Sequence, residues 1–263
     1  MNIGILYIAI GKYNIFFKDF YTSSEKFFFQ HANKHYYVFT DQPHAISLTN
    51  SNISIFYQEN KGWPYNTLLR FHMFNSIKDK LTNEDYLFFF NANAMFLQKV
   101  DDEILPDAKE NYLVSAMHPG FLNKAKIEFP YERNEKSTAF IPNSKGTHYF
   151  QGCFFGGKTQ NFLELTQQCM QNIDVDFNNN IIAIWHDESH LNSYFTQHPP
   201  KVLNSSYIYP EDKPIKGLTP IILMRDKKKY GGHDFLRGTP KNKIITFIKR
   251  FLHKVSFQNW RID

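Results

Sequence analysis

The stretch Tyr86-Leu-Phe-Phe-Phe-Asn91-Ala92-Asn93-Ala-Met-Phe-Leu97 decides how the chain reads. Apolar and aromatic residues run unbroken to Phe90, the chain turns polar at Asn91 and Asn93, and then it becomes apolar again. A short continuous apolar run rich in Phe and Tyr predicts a strand buried on both faces, as in the core of a parallel sheet. In open α/β sheets ligands lie beyond the carboxyl ends of the strands, which is where the two asparagines fall. Asn also tolerates turn conformations, so a simple turn fits the same residues.

Working outward, Asn2 to Ile10 is a nearly continuous apolar run closed by Gly11, and predicts a first strand. Asn14 is placed to cap a helix continuing to about Lys34, with Phe17, Phe20, Phe27 and Phe28 facing the core. Strands are expected over His35–Thr40 and Ile53–Tyr57, and a helix over Thr67–Lys80 with Leu69, Met73 and Ile77 on one face. This alternation of strands and helices predicts an α/β domain with a mostly parallel central sheet flanked by helices. Beyond it, strands are expected over Tyr112–Met117 and Tyr149–Phe155, the latter broken by Gly152 and ended by Gly156-Gly157. Helices follow at about Thr159–Asn172 and Asn180–Gln197. Neither G-x-G-x-x-G nor G-x-x-x-x-G-K-[ST] occurs, which argues against a dinucleotide fold or a P-loop.

At 263 residues, 42% hydrophobic and 21% charged, the composition is that of a soluble globular protein of one large or two small domains. The net charge of +5 is concentrated in the last forty residues, from Arg225 to Arg261, which suggests a phosphate or an anionic membrane surface as partner. A solvated basic tail accounts for the same residues. Cys153 and Cys169 have neither metal-binding nor redox spacing, as expected in a reducing compartment. With no signal-peptide pattern at Met1-Asn-Ile-Gly and no run approaching the ~18–20 apolar residues that span a bilayer, the expected location is cytoplasmic. No partner of nucleic-acid type is expected.

The densest chemistry lies in Trp185-His186-Asp187-Glu188-Ser189-His190-Leu191-Asn192. A helix would place His186 and His190 on one face, which invites a zinc site. The metalloprotease pattern, however, needs Glu directly after the first His, where Asp187 stands, and no third ligand is identifiable. A polar helix start with two acids near the positive dipole end explains the same residues.

Trp185–Asn192, together with His35-Tyr-Tyr-Val-Phe-Thr-Asp-Gln-Pro43, Ala9-Ile10-Gly11-Lys12-Tyr13, His118-Pro-Gly-Phe121, Tyr131-Glu-Arg133 and Phe154-Phe-Gly-Gly157, resembles glycosyltransferase family 6. That family includes the vertebrate histo-blood-group A and B transferases and the α1,3-galactosyltransferase. The resemblance runs from about residue 2 to 240 and implies a single GT-A domain over 1–240, followed by a basic segment 241–263. It implies retaining transfer of galactose or N-acetylgalactosamine from a UDP-sugar to O3 of a galactose, which in the blood-group branch carries an α1,2-linked fucose.

Residue by residue, the resemblance assigns Ile8, Ile10 and Tyr13 to uracil and ribose, and Arg70 to the donor sugar and the turn of the diphosphate. Gln151, Gly152 and Cys153 fall where donor N-acetyl is told from hydroxyl and the acceptor is fitted. His118 and Trp185 match acceptor contacts, Glu188 the acid facing the anomeric carbon, and Asp187 the neighbour holding the donor sugar. Lys228 and Arg237 match basic residues that fold over UDP. The chemistry agrees, because a retaining transfer develops positive charge on the anomeric carbon and negative charge on the departing phosphate.

The sequence departs from the family at Asn91-Ala92-Asn93, where most vertebrate members carry Asp-x-Asp and bind Mn²⁺. Neutral amides are poor ligands for a hard divalent cation. The expectation is therefore an enzyme without a metal cofactor, in which Asn91 and Asn93 hydrogen-bond ribose and phosphates directly. UDP-GalNAc is the expected donor, with UDP-Gal as the alternative, and the expected acceptor is a fucosylated oligosaccharide such as 2′-fucosyllactose. A non-catalytic glycan- or UDP-binding module of the same fold is the competing reading. In 241–263, Ile244, Ile248, Phe251, Leu252 and Val255 follow helical spacing among lysines and arginines, a pattern suited to peripheral binding at an anionic inner-leaflet surface. A helix packing on the domain itself has the same pattern.

Overall fold

A computed structural model describes residues 1–46 and 50–238. Its strands are β1 (Asn2–Ile8), β2 (Asn33–Thr40), β3 (Ile53–Tyr57), β4 (Tyr86–Phe90), β5 (Ala94–Phe96), β6 (Leu113–Met117), β7 (Phe150–Lys158), β8 (Lys201–Leu203), β9 (Tyr209–Pro210) and β10 (Ile222–Met224). Its α-helices are α1 (Phe17–Phe27), α2 (Tyr65–Leu68), α3 (Arg70–Ser76), α4 (Lys78–Leu81), α5 (Thr159–Asn178), α6 (Asp187–Gln197) and α7 (Gly232–Leu236).

Seven strands form the main sheet in the order β3-β2-β1-β4-β7-β6-β8. β1 to β4 pair in parallel and β8 is parallel to β6, whereas β7 runs antiparallel to both its neighbours. The sheet is mostly parallel and flanked by helices, the GT-A-like α/β architecture expected. The expected strand pattern holds at β4, where Phe88 and Phe90 pack on one face beside Phe17, Phe20 and Phe28 of the α1 side. Leu87 and Phe89 pack on the other face, against Phe71 and Phe74 of α3 and Phe162 of α5. Alternation therefore puts each successive side chain of β4 into a different core, and a fully apolar run satisfies both.

Several boundaries differ from expectation. Asn14 makes no cap; a 3₁₀ turn over Gly11–Phe16 precedes α1, which ends at Phe27 rather than near Lys34. The Thr67–Lys80 helix is three short helices, interrupted at Leu69 and Ile77. β7 is one strand across Gly152 and runs on through Gly156 and Gly157, but its pairing with β6 shifts register between Phe150 and Phe155, around Gly152. Those glycines make room inside the sheet: a Cβ on Gly156 would lie 2.2 Å from the Phe88 ring. α5 extends to Asn178, and α6 begins only at Asp187, so Asn180 to His186 is loop.

The Asn91–Asn93 turn leads from β4 into a small second sheet of β5, β10 and β9. The buried Tyr7 hydroxyl donates to the Ala92 carbonyl at 2.8 Å. Arg225 N–H donates to the Asn93 carbonyl at 2.9 Å, and the Asn93 amide donates back to the Arg225 carbonyl at 2.8 Å. Asn91 N–H also donates to the Cys153 carbonyl of β7 at 2.8 Å, so the turn is held from three elements at the carboxyl edge of the sheet. Among the described residues no helix is long and apolar enough to cross a membrane. The segment 241–263 lies outside the described residues, so its helical pattern has no structural counterpart here.

Candidate active site

A cavity of about 150 Å³ opens at the carboxyl ends of the central strands, lined by Thr67, Arg70, Asn91, Gln151, Gly152, Cys153, Trp185, Asp187 and Glu188. Six of the twelve predicted donor residues, Arg70, Asn91, Gln151, Gly152, Cys153 and Asp187, therefore meet in one place with Trp185 and Glu188. Asn91 lines the cavity, whereas Asn93 is buried beside it with its amide committed to Arg225.

Glu188 sits in the first turn of α6. Its Oε1 accepts from the Tyr149 hydroxyl at 2.6 Å and its Oε2 from the Gly152 N–H at 2.7 Å. Two donors on two oxygens fix the carboxylate plane, leaving its remaining lone pairs toward the cavity. Burial raises its pKa, while the hydrogen bonds from Tyr149 and Gly152 and the Arg70 charge oppose that rise. Asp187, fully inside, is pushed up to about 7 by burial, against the pull of Arg70. Its Oδ2 lies 2.9 Å from Arg70 Nε. That Nε–H is not aligned for a hydrogen bond, so the contact is an ion pair without a bond along this N–H. Arg70 Nη1 donates instead to the Gly152 carbonyl, and the guanidinium lies 4.5 Å from the Phe89 ring centre.

The loop before α6 is clamped from outside. His186 adopts φ +55°, a conformation uncommon for a residue with a side chain. Ile184 N–H donates to Glu132 at 2.6 Å, and Trp185 N–H to the Ser189 hydroxyl at 3.0 Å. The two histidines do not share a face: His186 meets the Trp63 ring at 5.1 Å, while His190 is buried 3.7 Å from Asp176. The zinc reading fails on this geometry. Among the described residues no three His, Cys, Asp or Glu side chains converge as a metal site.

A second group of residues adjoins the cavity. Lys227 is half-buried, and burial pushes its ammonium down to about 8, with Arg237 and Arg70 adding repulsion and Cys153 opposing it. It lies 5.4 Å from the Tyr13 ring centre. Tyr13 in turn faces Arg237, whose charge and hydrogen bond lower a phenol pKa that burial raises. The Arg237 guanidinium lies 5.0 Å over the Trp63 ring. Lys228, by contrast, is exposed and points to Asp212 at 3.9 Å, away from this group. Ile10 is 4% exposed within the core, and Ile8 is half-buried at the end of β1. His118 packs 5.7 Å from Tyr149, outside the cavity lining, and burial lowers its pKa to about 4. Lys227, Thr67 and Tyr149 were not singled out in the sequence. Nothing in the run Lys227-Lys228-Lys229 says which lysine turns inward.

A carboxylate aimed into a cleft, with cations beside it at the carboxyl edge of an α/β sheet, has the parts an enzyme needs to act on an anionic substrate. The model of glycosyltransferase family 6 matches residues 1–233, and the chain belongs to that family. Among its relatives is the O-antigen biosynthesis glycosyltransferase WbnI of Escherichia coli, 39% identical over 229 residues, covering 87% of this chain and 96% of the relative. The human globoside α-1,3-N-acetylgalactosaminyltransferase 1 is 35% identical over 224 residues, 81% of this chain and 62% of its own length. The rat histo-blood group ABO system transferase 1 is 34% identical over 216 residues, 79% of this chain and 61% of its own. The chain thus spans most of the bacterial relative and under two thirds of the vertebrate ones. Family membership implies a nucleotide-sugar donor and a glycan acceptor.

Proposed function

We propose that the protein transfers GalNAc from UDP-GalNAc to O3 of the galactose in a Fucα1,2Gal-terminated glycan, retaining the α configuration and using no divalent metal. The observation that carries this reading is the hydrogen-bonded Glu188 set against Arg70, Asp187 and Asn91 in one cavity. Glu188 faces the anomeric carbon, either as nucleophile or as the charge that stabilises an oxocarbenium-like ion. Asp187, oriented by Arg70, accepts from donor-sugar hydroxyls. Lys227, Arg237 and Arg70 receive the charge that develops on the departing diphosphate, as charge-assisted donors do. His118 and Trp185 hold the acceptor galactose. The retained Glu188 argues against a non-catalytic glycan- or UDP-binding module of the same fold.

GalNAc is favoured over galactose by Gly152. A Cβ there would stand only 3.4 Å from both Asp187 Oδ2 and Glu188 Cβ, so glycine keeps space that a larger residue would fill. The donor set at the metal position does not fit Mn²⁺. Asn91 and Asn93 offer neutral amide oxygens where a hard divalent cation favours carboxylates. A half-buried ammonium at Lys227 supplies positive charge nearby. Peripheral membrane association through 241–263 completes the reading. The test is transfer from UDP-GalNAc and UDP-Gal to 2′-fucosyllactose and lactose in excess EDTA. Full activity with UDP-GalNAc on the fucosylated acceptor is expected; activity restored only by added Mn²⁺ would overturn the metal-free part.

A further inference from the structure

Around Trp185, the mouth of the cleft carries apolar side chains that the transfer chemistry does not use. Ile184 is 53% exposed, Val175 47%, Trp63 47%, Ile182 45% and Tyr65 40%. Single exposed apolar residues are ordinary on any protein, but these are linked into one rim. The Tyr65 ring lies tilted, 6.3 Å from that of Phe177 at the end of α5, two positions from Val175. Ile181 N–H donates to the Asp176 carbonyl, which joins the loop bearing Ile182, Ile184 and Trp185 to the same helix end. Trp63 closes the arc through His186 at 5.1 Å. Trp185 lines the cavity, but Ile182 and Val175 do not, and aliphatic side chains give nothing to sugar hydroxyls.

The described chain ends on this rim. Arg237 lies over Trp63 at 5.0 Å, and its carbonyl accepts from the Asn60 amide at 3.5 Å. From Gly238 onward 25 residues follow, carrying Lys241, Lys243, Lys249, Arg250, Lys254 and Arg261 against the single acid Asp263, with Ile244, Ile248, Phe251, Leu252 and Val255 among them. A strongly basic, amphipathic sequence therefore leaves the molecule beside an exposed apolar and aromatic patch. Apolar side chains for the acyl boundary and cations for anionic headgroups are the two components of interfacial lipid binding.

We propose that the rim of Trp63, Tyr65, Val175, Ile182 and Ile184 is a lipid-contact face that, with the basic segment, sets the cleft mouth against an anionic membrane. The inference extends the membrane reading of 241–263 by giving the folded domain its own contact and a direction. The cleft would then open toward acceptors carried at the bilayer surface.

The test uses the full-length chain and vesicles of phosphatidylcholine with or without phosphatidylglycerol, read by co-flotation without any sugar substrate. The wild-type chain should float with anionic vesicles only. Ile182→Ser with Val175→Ser should cut the bound fraction about fivefold, while Ile182→Leu with Val175→Leu should keep it. Thermal midpoint and UDP affinity should be unchanged in both, which separates this outcome from misfolding and from any failure of the proposed transfer. Equal flotation of the Ser variant and wild type would overturn the rim as a lipid contact. So would a wild-type dimer in sedimentation that the Ser variant makes monomeric, since a second copy would then cover the face.

Discussion

Asp187 and Glu188 are adjacent in sequence but differ in their partners. Asp187 spends its charge on Arg70, whereas Glu188 takes only neutral donors from Tyr149 and Gly152. Glu188→Gln should lower turnover by two or more orders of magnitude, as loss of a charge at a developing cation does. UDP affinity should change little, as measured by calorimetry beside single-turnover rates. For Asp187, burial raises the folded pKa from an ordinary 3.8 to about 7. The folded state then holds the proton more tightly than the unfolded chain, so its contribution to stability is full below about pH 4 and is lost as pH rises to about 7. Asp187→Asn removes that titration. The melting midpoint of the variant relative to wild type should therefore rise between pH 5 and pH 8, and a constant difference would count against a buried, protonatable Asp187.

At the level of elements, β7 carries the active-site backbone on one end and glycines on the other. Its Gly152 holds both Glu188 and Arg70, while Gly156 leaves room for the Phe88 ring, which an added Cβ would meet at 2.2 Å. Gly156→Ala should destabilise the fold by roughly 1–3 kcal/mol, the usual cost of overpacking a close-packed core, read as a drop of several degrees in the melting midpoint. The expectation that these glycines end the strand was natural, because glycine is generally a weak strand former. What overrides it is the Phe-rich packing from β4, which needs a neighbour without a Cβ. The delayed start of α6 has a similar cause: Glu132 and Ser189 take the N–H groups of Ile184 and Trp185 that a helix would otherwise use.

For the whole molecule, the useful quantity is where charge collects. Lys227, Arg237 and Arg70 surround the region next to Tyr13, and His233 and His186 are held neutral there by burial and by these cations. Lys227→Met should weaken UDP binding at least tenfold at neutral pH, the loss expected of one charge-assisted contact to phosphate. In wild type, UDP affinity should decline above about pH 8 as the Lys227 ammonium deprotonates; calorimetry across pH should show this decline lost in the variant. The sequence by itself determined the α/β class, the buried β4, the family and most of the cleft residues, because continuous apolar runs and long motifs are local properties of the chain. Tertiary structure alone decided that Lys227 rather than Lys228 faces the cleft, that Asn93 is bound to Arg225 while Asn91 is open, and that His186 and His190 part company. Those outcomes depend on which distant groups satisfy a side chain once it is buried, and no local pattern encodes a partner more than a hundred residues away.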